Sequence, residues 1–353
     1  MKKLSEDIQV KTAAAEDHTA IIRLTALWAL SEAALGGIMH LLSLPFTGLF
    51  VGGSAVVLIA LIASRSDKPL LAIPRALLVV LIIKAMVSPH SPITAYIAVS
   101  FQGLGGALLF RFVPSFRTAA LMLGVFALLE SALQKLLTLT LLFGLSLWES
   151  LDAFIDYVFK KFGMLAEGVS AQGSWWVASL YVGIYLLGGL FIGLIAGRLP
   201  GLVQQASEEY VLPVLQGLDS TSENPKQSKP IWRKSSFQIL VLIVAVMLFV
   251  YGFIPASRQF MAPLYIVARV VGLLLIWYLI LAPFLMWILQ RFLDKKASDY
   301  REDVSAALSL QPVFKGLVRS AWRETSHLRG WKRWEALVIR IITYVLVYSP
   351  KEK

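Results

Sequence analysis

The chain has 353 residues, of which 57% are hydrophobic and only 16% charged. Soluble globular domains run near 45–50% apolar and about 25% charged, so this composition excludes a water-soluble fold. The 33 Lys and Arg against 22 Asp and Glu give a net charge of +11. With a mean hydropathy of +0.70, that excess reads as loop charge orienting the chain in a bilayer rather than as a nucleic-acid surface.

The chain has no cysteine, which removes disulfides, a Cys zinc site and a thiol nucleophile from consideration. His18, His40, His90 and His327 are scattered without ligand spacing. No metal or other cofactor is expected.

The first 19 residues are mixed polar and charged, and read as a cytoplasmic arm rather than a signal peptide. Stretches long and apolar enough to cross a bilayer, about 20 residues each, then follow at roughly 20–44, 46–64, 70–87, 93–110, 118–147 and 174–197. After a polar gap come two more, at 237–254 and 264–290. The expected fold is an all-α polytopic membrane bundle of eight transmembrane helices, six plus two.

The loops on the N-terminal side of these spans hold 26 of the 33 Lys and Arg residues, and the opposite loops only Lys160, Lys161 and Arg258. Arg75, Lys84, Lys135 and Arg269 fall inside spans. By the positive-inside rule both termini are cytoplasmic, in a plasma or inner membrane. The chain thus divides into the arm 1–19, a six-helix bundle 20–198, a cytoplasmic linker with a short helix 199–236, a two-helix hairpin 237–290 and a basic region 291–353. The external segment ESLDAFIDYVFKKFG alternates apolar and charged residues at helical spacing, as an interfacial helix would.

Nothing in the sequence points to an enzyme. No Walker A pattern and no Gly-Lys pair occurs, so ATP-driven work would need a separate ATPase. Small residues recur every four positions at Ala29, Ala33 and Gly37 and again at Gly189, Gly193 and Gly197. Such a stripe lets another backbone approach closely, either within the bundle or from a partner subunit.

Ionisable residues inside spans cost about 2.5–3.5 kcal/mol each and mark either charge pairs that fix helix register or a polar site. Glu32, Lys84, Glu130 and Lys135 are two acids and two bases. Glu130 and Gln134 lie one turn apart on one face, with Lys84 or Lys135 as their expected charge partners. Lys135 points about 140° away from Glu130 and needs a partner on another helix. Gln102 within FQGLGG, together with His40, Lys84 and His90 toward the outer side, completes the candidate substrate-binding set.

Beyond residue 300, Val313, Phe314, Leu317, Val318, Ala321 and Trp322 form an apolar stripe opposite Lys315, Arg319, Arg323 and Glu324. LRGWKRW then adds three basic residues and two tryptophans. These cytoplasmic amphipathic helices are expected on an anionic lipid surface or on a protein partner. LVIRIITYVLVY is too short to span and continues that structure.

The segment RLTALWALSEAALGGIMHLLSLPFTGLFVGG joins a small-residue helix, a Leu-Pro-x-x-Gly turn and a Gly-rich helix. With six spans in about residues 20–198, it resembles the integral-membrane substrate-binding (S) components of energy-coupling factor (ECF) vitamin transporters. The resemblance implies a substrate site near the extracytoplasmic side and docking of a transmembrane coupling subunit on Ala29 and Ala33. RETSHLRGWKR similarly resembles the Arg-Gly coupling-helix motif of that coupling subunit, which makes Arg329 a contact for the ATPases. The expected function is a membrane uptake component that binds a small molecule and works with separate ATPase and coupling subunits. The alternatives are a membrane scaffold or assembly protein recruiting a partner through its C-terminal region, and a stand-alone proton-coupled carrier.

Overall fold

The computed structural model describes residues 17–35, 47–88, 91–166, 168–209, 271–272 and 274–348. The predicted span 237–254, most of the linker and the residues Gly37, His40 and His90 lie outside the described residues. Among the described residues there are helices and no strand. They fall into two compact units: one holds 17–135, 175–209 and 287–348, the other 136–174 and 271–286.

Helix α1 occupies 17–35 and ends in a π-helical turn, Ser31–Leu35. Then come α2 (Thr47–Ser64), α3 (Pro69–Val87), α4 (Ile93–Phe112) and α5 (Phe116–Phe143). Next are α6 (Ser146–Lys161) and α7 (Gly173–Glu209). Helix α8 (Ala282–Ala297) follows a π-helical stretch, Ile276–Leu281, and α9 (Arg301–Glu324) and α10 (Trp331–Val347) close the order. Four of these, α3, α4, α5 and α7, are long and apolar enough to cross a membrane.

Local chemistry sets the boundaries. Pro69 opens α3, where a missing N–H costs nothing. Val113 is extended because Pro114 follows it, and α4 stops there. Two boundaries differ from the sequence expectation. Helix α5 ends at Phe143 rather than Leu147, because Gly144 takes a left-handed conformation (φ 73°) that terminates the helix. Helix α7 runs through Pro200 to Glu209 instead of stopping at Gly197. Leu199, Val203 and Ala206 recur on one face and are all buried, so packing holds the extension against the lost proline hydrogen bond.

In the first unit α5 and α7 touch backbone to backbone. A Cβ added at Gly124 would lie 2.3 Å from the Gly189 carbonyl oxygen and 2.8 Å from Gly193 Cα, and one at Gly197 would meet Arg117. The glycine stripe of α7 is therefore spent on internal packing, which removes it as a docking face for another subunit. Helices α9 and α10 form a hairpin on the same unit. Val304, Ala307, Phe314, Leu317 and Ala321 of α9 are buried, and Arg340 of α10 pairs with Glu324 at 3.2 Å.

Three contacts fix where the hairpin sits. Asp303 accepts from Arg75 of α3 at 2.8 Å, Arg23 of α1 donates to the Leu346 carbonyl, and Trp331 packs edge-on against Phe191 of α7. The starting ends of α1 and α3 thus lie on one side of this unit, beside the hairpin, which also reaches the middle of α7 at Phe191.

In the second unit α6 is the amphipathic helix expected from its sequence. Its Asp152 carboxylate accepts from the Ser174 amide at 2.7 Å, and Asp156 accepts from the Ala171 amide, also at 2.7 Å. Asp152 thus caps the first turn of α7, with its charge at the positive end of the helix dipole. Asp152→Ala is expected to destabilise this junction by about 1–2 kcal/mol. Hydrogen exchange should show it as lost protection at residues 173–177, and unchanged exchange there would contradict the capping role.

Candidate functional site

The polar side chains buried among these apolar helices gather in the half of the first unit opposite the C-terminal hairpin. Glu32 sits in the π-turn that ends the described part of α1, a local geometry that concentrates at functional positions. Its Oε2 meets Lys84 Nζ of α3 at 2.7 Å, with the two side chains 1% and 5% exposed. The ammonium also lies 5.8 Å from the ring centroid of Tyr96 on α4.

Further along α4, Gln102 is 3% exposed. A methyl on Gly52 of α2 would lie 3.3 Å from Gln102 Nε2 and 3.7 Å from Ser131 Oγ of α5, so the glycine makes room between them. Gln134 Nε2 donates to the Thr94 carbonyl at 3.1 Å and ties α5 to the start of α4. Ser54 of α2 donates to Ser31 at a long 3.5 Å, beside Glu32. From Thr94 to Gln102 is about 12 Å along α4 at 1.5 Å per residue, and five helices present polar side chains within that stretch.

Five buried polar atoms of this region have no hydrogen-bond partner: the acceptors Glu32 Oε1, Gln102 Oε1 and Glu130 Oε2, the donor Trp28 Nε1, and the Tyr96 hydroxyl, which can do either. A buried acceptor without a donor costs about 1–3 kcal/mol, so the cluster is unfavourable for stability alone. Its chemistry suits a small polar molecule that brings donors to the oxygens. Among the described residues no three His, Asp or Glu side chains converge as a metal site would require.

The structure redistributes the residues expected from sequence. Lys84 pairs with Glu32, not with Glu130. Glu130 is half-buried on the same α5 face as Gln134, as its spacing requires. Lys135 is exposed and has no carboxylate partner among the described residues. Gln102 is in the cluster. Ala29 is buried within the unit at 1% exposure and Ala33 is half-buried. Arg329 is exposed at the elbow between α9 and α10, far along the chain from the cluster.

Sequence reasoning missed Tyr96, Ser131 and Gly52. A lone tyrosine in an apolar span was the available signal for the first, and the Gly52-Gly53 pair for the last. No protein-family model, curated protein or solved structure matches this chain. What the described residues define is an all-helical arrangement with four helices long and apolar enough to cross a membrane, and a buried ion pair between α1 and α3.

Proposed function

We propose that the chain is a multi-pass membrane protein of eight spans with both termini cytoplasmic, and that it binds a small polar molecule for uptake in partnership with separate ATPase and coupling subunits. The observation that carries this reading is the Glu32–Lys84 pair at 2.7 Å, beside Tyr96 in a buried polar cluster in which several polar atoms are unpaired. An ion pair alone could fix helix register, but unpaired buried polar atoms around it add cost to an architectural role and suit a polar ligand. The charge division of the loops places the cluster in the outer half of the membrane, where an uptake protein meets its substrate. The resemblance of residues 23–53 to ECF substrate-binding components supports the same reading, as does the absence of any nucleotide motif in the chain.

Mass spectrometry of the detergent-purified chain tests it directly. A bound small polar molecule and a copurifying ATPase are expected, and a chain that purifies alone and empty counts against uptake. Topology is tested separately, because the chain contains no cysteine to remove. In intact cells an impermeant maleimide should label Ser91→Cys and spare Ser66→Cys. Outside labelling of Ser66→Cys would overturn the orientation.

A further inference from the structure

The elbow between α9 and α10 is unlike the rest of the hairpin. A recess of about 350 Å³ opens there between Trp322, Ser326, Arg329, Gly330, Arg333 and Trp334. The Arg333 guanidinium carbon lies over the Trp322 ring, 4.4 Å from its centroid, and Trp334 meets Trp322 edge-on at 6.0 Å. The Arg333 Nε is buried and has no hydrogen-bond partner, and Arg329 is exposed with no carboxylate partner among the described residues. Glu324, the nearby acid, is already engaged by Arg340 and Tyr344. Gly330 (φ 60°) then starts the 17-residue helix α10, whose positive end adds to the two guanidinium charges. The recess is therefore built for an anion with several acceptor oxygens, and its walls are aromatic.

The depth of the elbow decides which anion. Trp331, next to the recess, packs on Phe191, seven residues and about 10 Å along α7 before Arg198. At the other end of the hairpin, Arg75 meets Asp303 six residues into α3. The hairpin therefore lies alongside the ends of apolar helices rather than beyond them, at the depth to which interfacial helices sink, about 5–10 Å into the headgroup boundary. Trp322, Trp331 and Trp334 remain 47%, 56% and 55% exposed on this face, as tryptophans at a headgroup layer are.

We infer that the α9–α10 elbow is a binding site for one anionic phospholipid, its phosphate held by Arg329 and Arg333 and its glycerol backbone resting on Trp322 and Trp334. The guanidinium of Arg333 is held over the Trp322 ring, and Arg329 closes from the exposed side. The site is separate from the Glu32–Lys84 cluster and does not depend on the uptake reading.

The test is native mass spectrometry of the full chain in mixed micelles, titrated with phosphatidylglycerol or with phosphatidylcholine of the same acyl chains. The chain should take up one phosphatidylglycerol in preference to phosphatidylcholine. Arg329→Ala with Arg333→Ala should weaken that uptake about 30-fold, since each basic residue contributes about 1 kcal/mol. Lys295→Ala with Arg301→Ala, which removes two exposed charges elsewhere in the region, should leave it unchanged. If the double elbow variant does not purify folded, Arg329→Gln alone gives the same reading at about fivefold. Equal uptake of both lipids, displacement of phosphatidylglycerol by inorganic phosphate, or unchanged uptake in the elbow variants would overturn the assignment. So would an Arg329→Lys variant that keeps its lipid but loses a copurifying protein, because that pattern belongs to a protein groove gripping a planar guanidinium.

Discussion

Replacing Gly124 by leucine is expected to prevent the first unit from folding, and replacing it by alanine to destabilise it measurably. The Cβ that either substitution adds would sit 2.3 Å from the Gly189 carbonyl oxygen and 2.8 Å from both the Cα and N of Gly193. Those are backbone atoms of α7, so no side chain can swing away to make room. The two helices must separate, which forfeits the close packing that holds helices together where no hydrophobic drive operates between them. Overpacking of a filled interior costs about 1–3 kcal/mol even for small additions. Gly183, also on α7, has nothing within 4 Å of an added Cβ. Gly183→Ala should therefore be neutral or slightly stabilising. Thermal unfolding of the purified variants in detergent separates the two positions, and equal behaviour of Gly124→Ala and Gly183→Ala would contradict the close contact.

The second large effect is expected at the buried pair. Glu32→Gln leaves the Lys84 ammonium without its counter-charge at a position where its side chain is 5% exposed, and Lys84→Met does the same to the carboxylate. Removing one member of a buried pair costs about 3–5 kcal/mol, whereas removing both is often close to neutral. Each single variant should therefore unfold at a clearly lower temperature than the parent. The double variant Glu32→Gln/Lys84→Met should recover most of the loss. Additive losses in the double variant would mean that the two side chains are not coupled. The Arg75–Asp303 pair offers a contrast at the same distance class, since Arg75 is 55% exposed. An exposed pair contributes only about 0–1 kcal/mol.

The course of the chain was largely legible before the structure. Hydropathy placed α2 to α5 and the start of α7 within a few residues, and the alternation in ESLDAFIDYVFKKFG gave α6. The misses have specific causes. The C-terminal stripe was read as Val313 to Trp322, yet only Phe314, Leu317 and Ala321 of it are buried, while Trp322 stands exposed beneath Arg333. Periodicity assigns a face but cannot tell which edge of it is covered. The apolar stretch ends at Gly197 in sequence, but α7 continues through Pro200, whose cost is local and is outweighed by the buried Leu199, Val203 and Ala206.

The pairing of intramembrane charges was beyond reach for another reason. Angular spacing relates residues on one helix, as it did for Glu130 and Gln134. Which helix faces which is a tertiary property, and so the sequence leaves open which of the two acids Lys84 meets, while the structure pairs it with Glu32, 52 positions earlier in the chain. The glycine stripe of α7 was recognised as a packing surface, and only the structure supplied Gly124 as its other half.

The central claim is that the Glu32–Lys84 cluster holds a ligand rather than merely locking helices together. The most direct measurement compares native mass spectra of the parent and the Glu32→Gln/Lys84→Met double variant, purified identically and shown by thermal unfolding to be folded. The account predicts a small polar mass on the parent that is absent from the double variant. The same mass at the same occupancy on both would show that the pair serves architecture alone.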